Sequence, residues 1–418
     1  MRALKHRRLL GVVSRRGLLK ITILAALGYL LYHHLPSPPP TANNDRADRP
    51  APEHEVQLIP HFLHHSQFRQ DPNLDYEAKL EDALRSIESN APAAATDGIV
   101  KQLWQIQRTE DARGPDSIAF EEQNKDWAYT LVTDVWAQTF LAETLSAIPN
   151  LLAIYNSYPY NVLRADLLRY LLLWYYGGYY ADTDVAPVVP ITSCPPLSPL
   201  FDPDLRSRPD LPSLVLGIEI DEPYASPRLM HQWHWSRTYG FIQYTMFAPR
   251  RFSPILRRAI VRVLAHTRRH QAGVFTHGYD EEEILEVTGP GVFTDAVLDV
   301  LSEHLDPFHP LINHSIRAES SFLGPGSLPL SPPDGTTSTT TTQRRLTWAP
   351  FHTLREPLWI DENAAAAQGM GGLLVLPISV WGNGQRHSGA EGFNSSQACI
   401  NHRFGRTWKK GWWEYLVG

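Results

Sequence analysis

One stretch constrains this chain more than any other. Residues 161–185 read NVLRADLLRYLLLWYYGGYYADTDV. Val162, Leu163, Asp166, Leu167, Tyr170, Leu171 and Trp174 recur at helical spacing, which predicts a helix over residues 161–176. Gly177 and Gly178 supply its stop, and residues 179–181 predict a short strand that ends at Asp182. The helix is strongly apolar yet carries Arg164, Asp166 and Arg169. Charges in such a setting need partners or a cleft. Asp166 and Arg169 stand at i and i+3, on one helical face. They read either as a helix-borne salt bridge or as a polar face in which Asp166 accepts sugar hydroxyls and the arginines meet a diphosphate or a sugar.

Asp182 and Asp184 lie two apart just beyond the strand. In an extended chain, residues i and i+2 point the same way. Both carboxylates can then reach one hard divalent cation, the pattern of Mg2+ or Mn2+. A metal on a diphosphate stabilises the charge that builds on a departing nucleotide. An Asp-x-Asp pair in isolation reads as a solvated turn. The charged helix and the glycine turn leading into it are what give this pair weight. Nothing supplies the additional His/Asp set of a two-metal nuclease or phosphatase.

Around this run the chain alternates. Strands are expected at 99–106, 127–132, 214–220, 239–248 and 373–377, and helices at 139–147 and 254–269. Such alternation indicates an α/β sandwich. Residues 58–98 read as a peripheral helical segment, and 324–345 (GPGSLPLSPPDGTTSTTTTQRR) as an exposed low-complexity insertion.

The formal net charge of -6 is unevenly placed. The first 20 residues hold seven basic groups and no acid, which leaves 31 basic against 44 acidic residues in the remainder. So acidic a body does not suit phosphate neutralisation, and nucleic acid is excluded as a partner. Behind the basic tip (1–20), residues 21–35 are largely apolar. With Gly17 to Leu19 they approach the roughly 20 residues a bilayer helix needs. The positive flank predicts a cytoplasmic N-terminus and a luminal body. A cleaved signal peptide is the alternative, but no small-x-small cleavage site follows. Residues 36–57 begin Pro-rich and read as a stem. Asn-x-Ser sequons at Asn313 and Asn394 are compatible with a luminal body. Two cysteines, Cys194 and Cys399, exclude a disulfide-rich scaffold and a four-thiolate zinc site. By count alone they are one bridge or two thiols.

The pattern R-x-D-x-x-R-Y-x-x-L-x-x-x-G-G-x-Y-x-D-x-D, carried by Arg164, Asp166, Arg169, Tyr170, Leu173, Gly177, Gly178, Tyr180, Asp182 and Asp184, resembles the core signature of glycosyltransferase family 32. Other blocks resemble its fungal initiating α-1,6-mannosyltransferase branch: Gly217-Ile218-Glu219 with Asp221, Phe241 to Met246 with Ala248-Pro249, Val287 to Val297, Leu374 to Pro377, and His402 with Trp408-Lys409. The resemblance spans roughly residues 99–412. It implies one GT-A-type, Rossmann-like nucleotide-sugar-binding domain over 99–418, a Mn2+ (or Mg2+) cofactor, and retention of anomeric configuration. It also implies GDP-mannose as donor, a glycan or glycoprotein acceptor, and a Golgi (or ER) membrane setting for a single-pass type II protein.

Carried across by position, Asp182 and Asp184 would bind metal and donor ribose, with His402 as a further ligand or diphosphate contact. Trp104 would approach the nucleotide base. Arg164, Asp166, Arg169, Tyr180 and Gln243 would hold the donor. Glu219, Asp221 and a turn at Gly289-Pro290-Gly291 would shape the acceptor side. Trp104, Gln243 and His402 also admit plain structural readings, as core indole, satisfied amide and surface imidazole. The first strand lacks the family's Pro and His, Tyr244 stands for a Trp, and Thr407 for a Ser. These departures bear on base contacts and acceptor identity. A glycolipid acceptor such as inositol phosphoceramide, another sugar donor, and an inactive membrane-tethered glycan-binding protein are the rival readings. The last is disfavoured because both aspartates, Asp166 and Arg169 are present. Cys194 and Cys399 flank the expected site in blocks that converge on it, which predicts a bridge.

Overall fold

The computed structural model describes residues 60–92, 98–110, 113–202, 211–273, 278–320, 345–360 and 369–403. The expected tip, anchor and stem, the insertion except Arg345, and the Trp408-Lys409 block lie outside the described residues. Among the described residues no helix is long and apolar enough to cross a membrane. All of them fall in one compact unit, Gln57–Gly418.

The chain opens with helix α1 (Leu74–Asn90), strand β1 (Gln102–Ile106), α2 (Pro115–Gln123), β2 (Ala128–Val132), α3 (Asp134–Thr139) and α4 (Leu151–Ser157). It continues with α5 (Asn161–Tyr176), β3 (Gly178–Ala181), β4 (Val185–Pro187), β5 (Leu214–Asp221), α6 (Pro227–Trp233), β6 (Tyr239–Phe241), β7 (Thr245–Ala248) and α7 (Pro254–Ala272). It closes with α8 (Glu281–Val287), α9 (Pro290–His304), α10 (Pro310–Ser320), β8 (Leu358–Ile360), β9 (Leu373–Leu376), α11 (Ile378–Trp381) and β10 (Ile400–His402). The main sheet runs β2-β1-β3-β7-β5-β9-β8, with β6 also paired to β5. β1 is parallel to β2 and β3, and β5 is parallel to β9. β7 lies antiparallel between β3 and β5. A separate two-stranded sheet joins β4 and β10.

Period-two alternation sends side chains of each strand to two cores. Trp104, Tyr180, Met246, Leu216 and Val375 pack under the helices α1, α5, α7 and α9. Leu103, Tyr179, Phe247, Val215 and Leu376 face the other way, onto Trp127, Leu197, Trp381 and the two cysteines. The fold is therefore mixed α/β with a central sheet, as the alternating pattern predicts.

α5 is the helix expected over the same residues. Its stretch from Leu167 to Trp174 is buried on every side. Such a helix belongs between layers, not on a surface. Its C-cap Gly177 has φ 74 and Gly178 φ 99. A Cβ on Gly178 would sit 2.4 Å from the Gln102 carbonyl oxygen, so only glycine lets the chain turn this closely against β1.

Three expectations change. Residues 239–248 form not one strand but two, because β6 pairs with β5 while β7 pairs with β3. The break at Ile242–Tyr244 leaves Gln243 outside both strands. Residues 139–147 are helical only to Thr144, through α3 and a π turn (Phe140–Thr144). And α1 is not peripheral. Tyr76, Leu80 and Leu84 are buried in the main core, and Glu81 and Glu88 bond Arg257 of α7. We expect Leu84→Ala to destabilise the protein by about 2–5 kcal/mol, read as a lower urea midpoint. A loss below about 0.5 kcal/mol would mean that α1 is dispensable.

Candidate active site

A cleft of about 1180 Å³ opens where β3 ends. Asp182 leaves the strand with its N–H bonded to the Tyr244 carbonyl (2.8 Å), and its own carbonyl receives the Val185 N–H (3.1 Å). That turn carries Asp184 on toward β4. His402 arrives from the far end of the chain, because β10 pairs antiparallel with β4 and sets His402 opposite Val185. The Arg403 N–H bonds the Asp184 carbonyl (3.0 Å). Ligating atoms of Asp182, Asp184 and His402 thus lie within 4.8 Å of one another. His402 Nε2 is 3.2 Å from Asp184 Oδ1. Its ring stacks on Tyr244 at a centroid distance of 4.1 Å, and Tyr244 donates to the Trp381 carbonyl.

Cys194 and Cys399 are bridged, as expected. The Cys399 carbonyl also takes the Val188 N–H (2.9 Å). Three residues before His402, the bridge fastens β10 to the segment following β4. We expect its removal, by Cys194→Ala with Cys399→Ala or by reduction, to cost about 2–5 kcal/mol as a lower melting temperature. An unchanged melting temperature would refute a stabilising bridge.

Behind the aspartates lies a buried ion-pair chain. The Arg169 guanidinium, 4% exposed, reaches Asp166 Oδ1 at 3.0 Å and Asp182 Oδ1 at 3.3 Å. It also donates to the Gln243 carbonyl (3.1 Å) and lies 5.0 Å from the Tyr180 ring centre. The Tyr180 hydroxyl donates to Asp182 Oδ1. Asp166 is engaged on both oxygens: Thr288 donates to Oδ2 (2.8 Å), and Gln243 Nε2 lies 3.3 Å from Oδ1. The salt-bridge reading of Asp166 and Arg169 is therefore realised. Asp166 is thus engaged from inside the protein, and with Arg169 and Tyr180 it also lines the cleft. We expect Arg169→Met to leave the buried Asp166 carboxylate and the half-buried Asp182 carboxylate without their shared cation and to cost about 3–5 kcal/mol. Chemical denaturation measures this, and a neutral result would refute the ion-pair chain.

Burial pushes the Asp166 carboxyl up to about 6, with Arg169 opposing. Burial likewise raises Asp182, against Arg169 and with the repulsion of Asp184. Glu219 lines the cleft. Burial pushes it up to about 7, with His402 opposing and Asp182 adding to the rise. Several carboxyls held above their ordinary range around one space are poised to receive positive charge.

Of the other expected residues, Arg164, Gln243 and Gly291 line the cleft, and Arg164 donates to the Tyr158 carbonyl. Three do not reach it. Trp104 is buried among Trp136 and Tyr176, and its indole N–H bonds the Gly177 carbonyl (2.9 Å). It takes the core reading, since alternation along β1 turns it under α5. Asp221 accepts from the Thr353 N–H at 2.7 Å and pairs with His352 at 2.7 Å. The β5–β6 register shifts between Ile218 and Ile220, which breaks the alternation that would have aligned Asp221 with Glu219. Gly289 is the N-cap of α9, not part of a free turn. A Cβ there would lie 2.8 Å from Leu285 Cα. Sequence reasoning missed Trp233, Trp235 and His387 in the cleft wall. The only signal was two tryptophans two residues apart.

A cleft at the end of a parallel strand, with an Asp-x-Asp pair and an imidazole, agrees with what the chain resembles in sequence. Residues 117–201 match the family described as the glycosyltransferase sugar-binding region containing a DXD motif. The chain is a glycosyltransferase, and the family 32 resemblance carried by Arg164 to Asp184 stands. It is similar to the initiation-specific alpha-1,6-mannosyltransferase of Saccharomyces cerevisiae, at 25% identity over 75% of this chain and 78% of the relative. The enzyme of the same name from Candida albicans is 24% identical over 81% of this chain and 80% of the relative. A shorter similarity, 33% over 26% of this chain and 29% of the relative, is to inositol phosphoceramide mannosyltransferase 3 of Schizosaccharomyces pombe.

Proposed function

We propose that this glycosyltransferase moves mannose from GDP-mannose to a glycan acceptor with retention of configuration, on a GT-A-type fold, using a divalent cation held by Asp182, Asp184 and His402. The observation that carries this reading is the convergence of those three side chains, from distant parts of the chain, within 4.8 Å. Mannose, the GDP carrier and the glycan acceptor rest on the similarity to initiation-specific α-1,6-mannosyltransferases over most of the chain. The donor set fits a cation. Two carboxylate oxygens with one imidazole nitrogen suit Mn2+ better than Mg2+, which prefers oxygen ligands throughout. Such a cation, when bound, neutralises the donor diphosphate and stabilises its departure.

The protein's own residues do the rest. Arg169 and Tyr180 fix the Asp182 carboxylate, and Asp166 and Gln243 fix Arg169 in turn. Arg164 faces the donor from the cleft wall. In the transfer, the bond between the anomeric carbon and the diphosphate oxygen breaks. The acceptor hydroxyl oxygen bonds that carbon from the same face, and its proton passes to the leaving diphosphate. No protein nucleophile is required. Glu219 and Gly291 lie on the acceptor side, where the Glu219 carboxyl can orient the incoming hydroxyl. Residues 21–35 are proposed as a type II anchor that places this body in the Golgi lumen. The seven basic groups before it and a disulfide that an oxidising lumen permits support that setting.

The test is a donor screen on the purified full-length chain with Mn2+. We expect GDP release from GDP-mannose, raised by oligomannose, abolished by excess EDTA and restored by Mn2+. Asp184→Ala should lower transfer by roughly 100-fold or more, about 2.7 kcal/mol of barrier, at unchanged melting temperature. Full activity in EDTA would remove the cation from the reading. Release from UDP-sugars alone would remove the donor, and acceleration by inositol phosphoceramide but not oligomannose would move the acceptor to a glycolipid.

A further inference from the structure

The cleft has an aromatic wall that the reaction described so far does not use. α6 ends at Trp233, and His234 then takes a left-handed conformation (φ 57). The Trp235 N–H returns to the Met230 carbonyl (2.9 Å). This reversal lays the two indoles nearly parallel, 13° apart with centroids 5.8 Å apart. His387 meets both edge-on, at 5.2 Å and 4.7 Å, and burial holds its imidazole neutral by pushing it down to about 4. Phe393, 39% exposed, lines the same cavity. Trp233, Trp235 and Phe393 belong to neither hydrophobic core. Trp233 and Trp235 remain only half-buried. Large aromatic surface kept partly exposed in a cleft and outside both cores marks a ligand-binding surface.

Its position says which ligand. The sheet order puts the carboxyl ends of β1 and β2 on one flank of Asp182, and from them come Ile106 to Thr109 and Asp134. In open α/β sheets nucleotides lie against such parallel strand ends. The aromatic wall follows β5 and α11, on the opposite flank. A donor with its diphosphate at Asp182 and Asp184 therefore leaves this end free. A pyranose offers an apolar C–H face and a rim of hydroxyls. The indole faces suit the first. Ser236, Glu281 and Gln385, which line the same wall, suit the second.

We propose that Trp233 and Trp235, backed by His387, form the subsite that binds the acceptor saccharide by stacking on its pyranose rings. This rests on the glycosyl-transfer reading, and the test separates the two. On the full-length chain, oligomannose is titrated without donor while tryptophan emission is followed, and acceptor and donor KM are then measured during transfer. The wild type should show a saturable emission change. Trp233→Ala and Trp235→Ala should raise the acceptor KM about ten-fold or more while the donor KM stays within two-fold. Trp235→Phe, which keeps an aromatic face, should fall between them and the wild type. Matching melting temperatures exclude misfolding. An unchanged acceptor KM in both alanine variants overturns the proposal. So does a rise confined to the donor KM, which would make the wall a base-stacking surface. If GDP-mannose is not turned over by the wild type, the transfer reading fails. The emission titration then decides the subsite alone: saturable binding lost in both alanine variants upholds it, and no binding by the wild type overturns it.

Discussion

Arg169 sits where the demands of the core and of the cleft meet. Its helix is buried on all sides along the run that bears it, so a cation there carries a large desolvation cost. Asp182, Tyr180 and Asp166 together hold the guanidinium charged despite that cost. The planar fork matters. One nitrogen reaches both Asp166 and Asp182 while another reaches the Gln243 carbonyl. A lysine ammonium has no such fixed spread of donors. In consequence the orientation of Asp182 is set from inside the protein. The wider network recruits α5, the β6–β7 turn and, through Thr288, the approach to α9.

The opposite side of the cleft is closed by a different device. β4 and β10 are three residues each and form their own small sheet. Two strands of that length are not stable alone. The disulfide and the Cys399 carbonyl contacts make up for what the ladder lacks. His402 and Asp184 are therefore held by a covalent closure between segments 205 residues apart in sequence, whereas Asp182 is held by Arg169 and Tyr180. The two halves of the Asp-x-Asp pair answer to different physics.

That division explains what was legible in the sequence. Signals that are local and obligatory came through: the largely apolar helix, the Gly177-Gly178 stop and the strand into Asp182; the cysteine bridge was legible only through the convergence of its two blocks on the expected site. Asp166 with Arg169 was legible only as two alternatives, because an i, i+3 pair does not reveal whether a third partner such as Asp182 waits beyond the helix. Readings that depended on where a side chain points after an irregularity failed. Asp221 was lost to a register shift in β5. Gly289 belongs to a helix start where a turn was expected. Trp104 has the composition of a base-stacking residue, but strand alternation places it in the core. Trp233 and Trp235 went unread for the converse reason. Two residues apart they suggest a strand face, whereas a single left-handed residue at the end of α6 brings them together.

The cleft that results is graded in character. At its centre, Asp182 and Glu219 are carboxyls raised above their ordinary range by burial. The Asp182 carboxylate already faces Arg169, while burial works against charge on both groups. On the flank beyond β5, the wall turns aromatic and its histidine is neutral, so that end offers flat apolar faces to a polyhydroxylated ring. On the proposed transfer reading, a donor carrying a diphosphate and an acceptor carrying only hydroxyls would meet different ends of one cavity, with no moving part required. The break at Ile242–Tyr244 lies between β6, which pairs with β5, and β7, which pairs with both β3 and β5. Gln243, at that break, bonds inward to Asp166 and Tyr170 and so ties the boundary between the two ends to the same buried helix that orients Asp182.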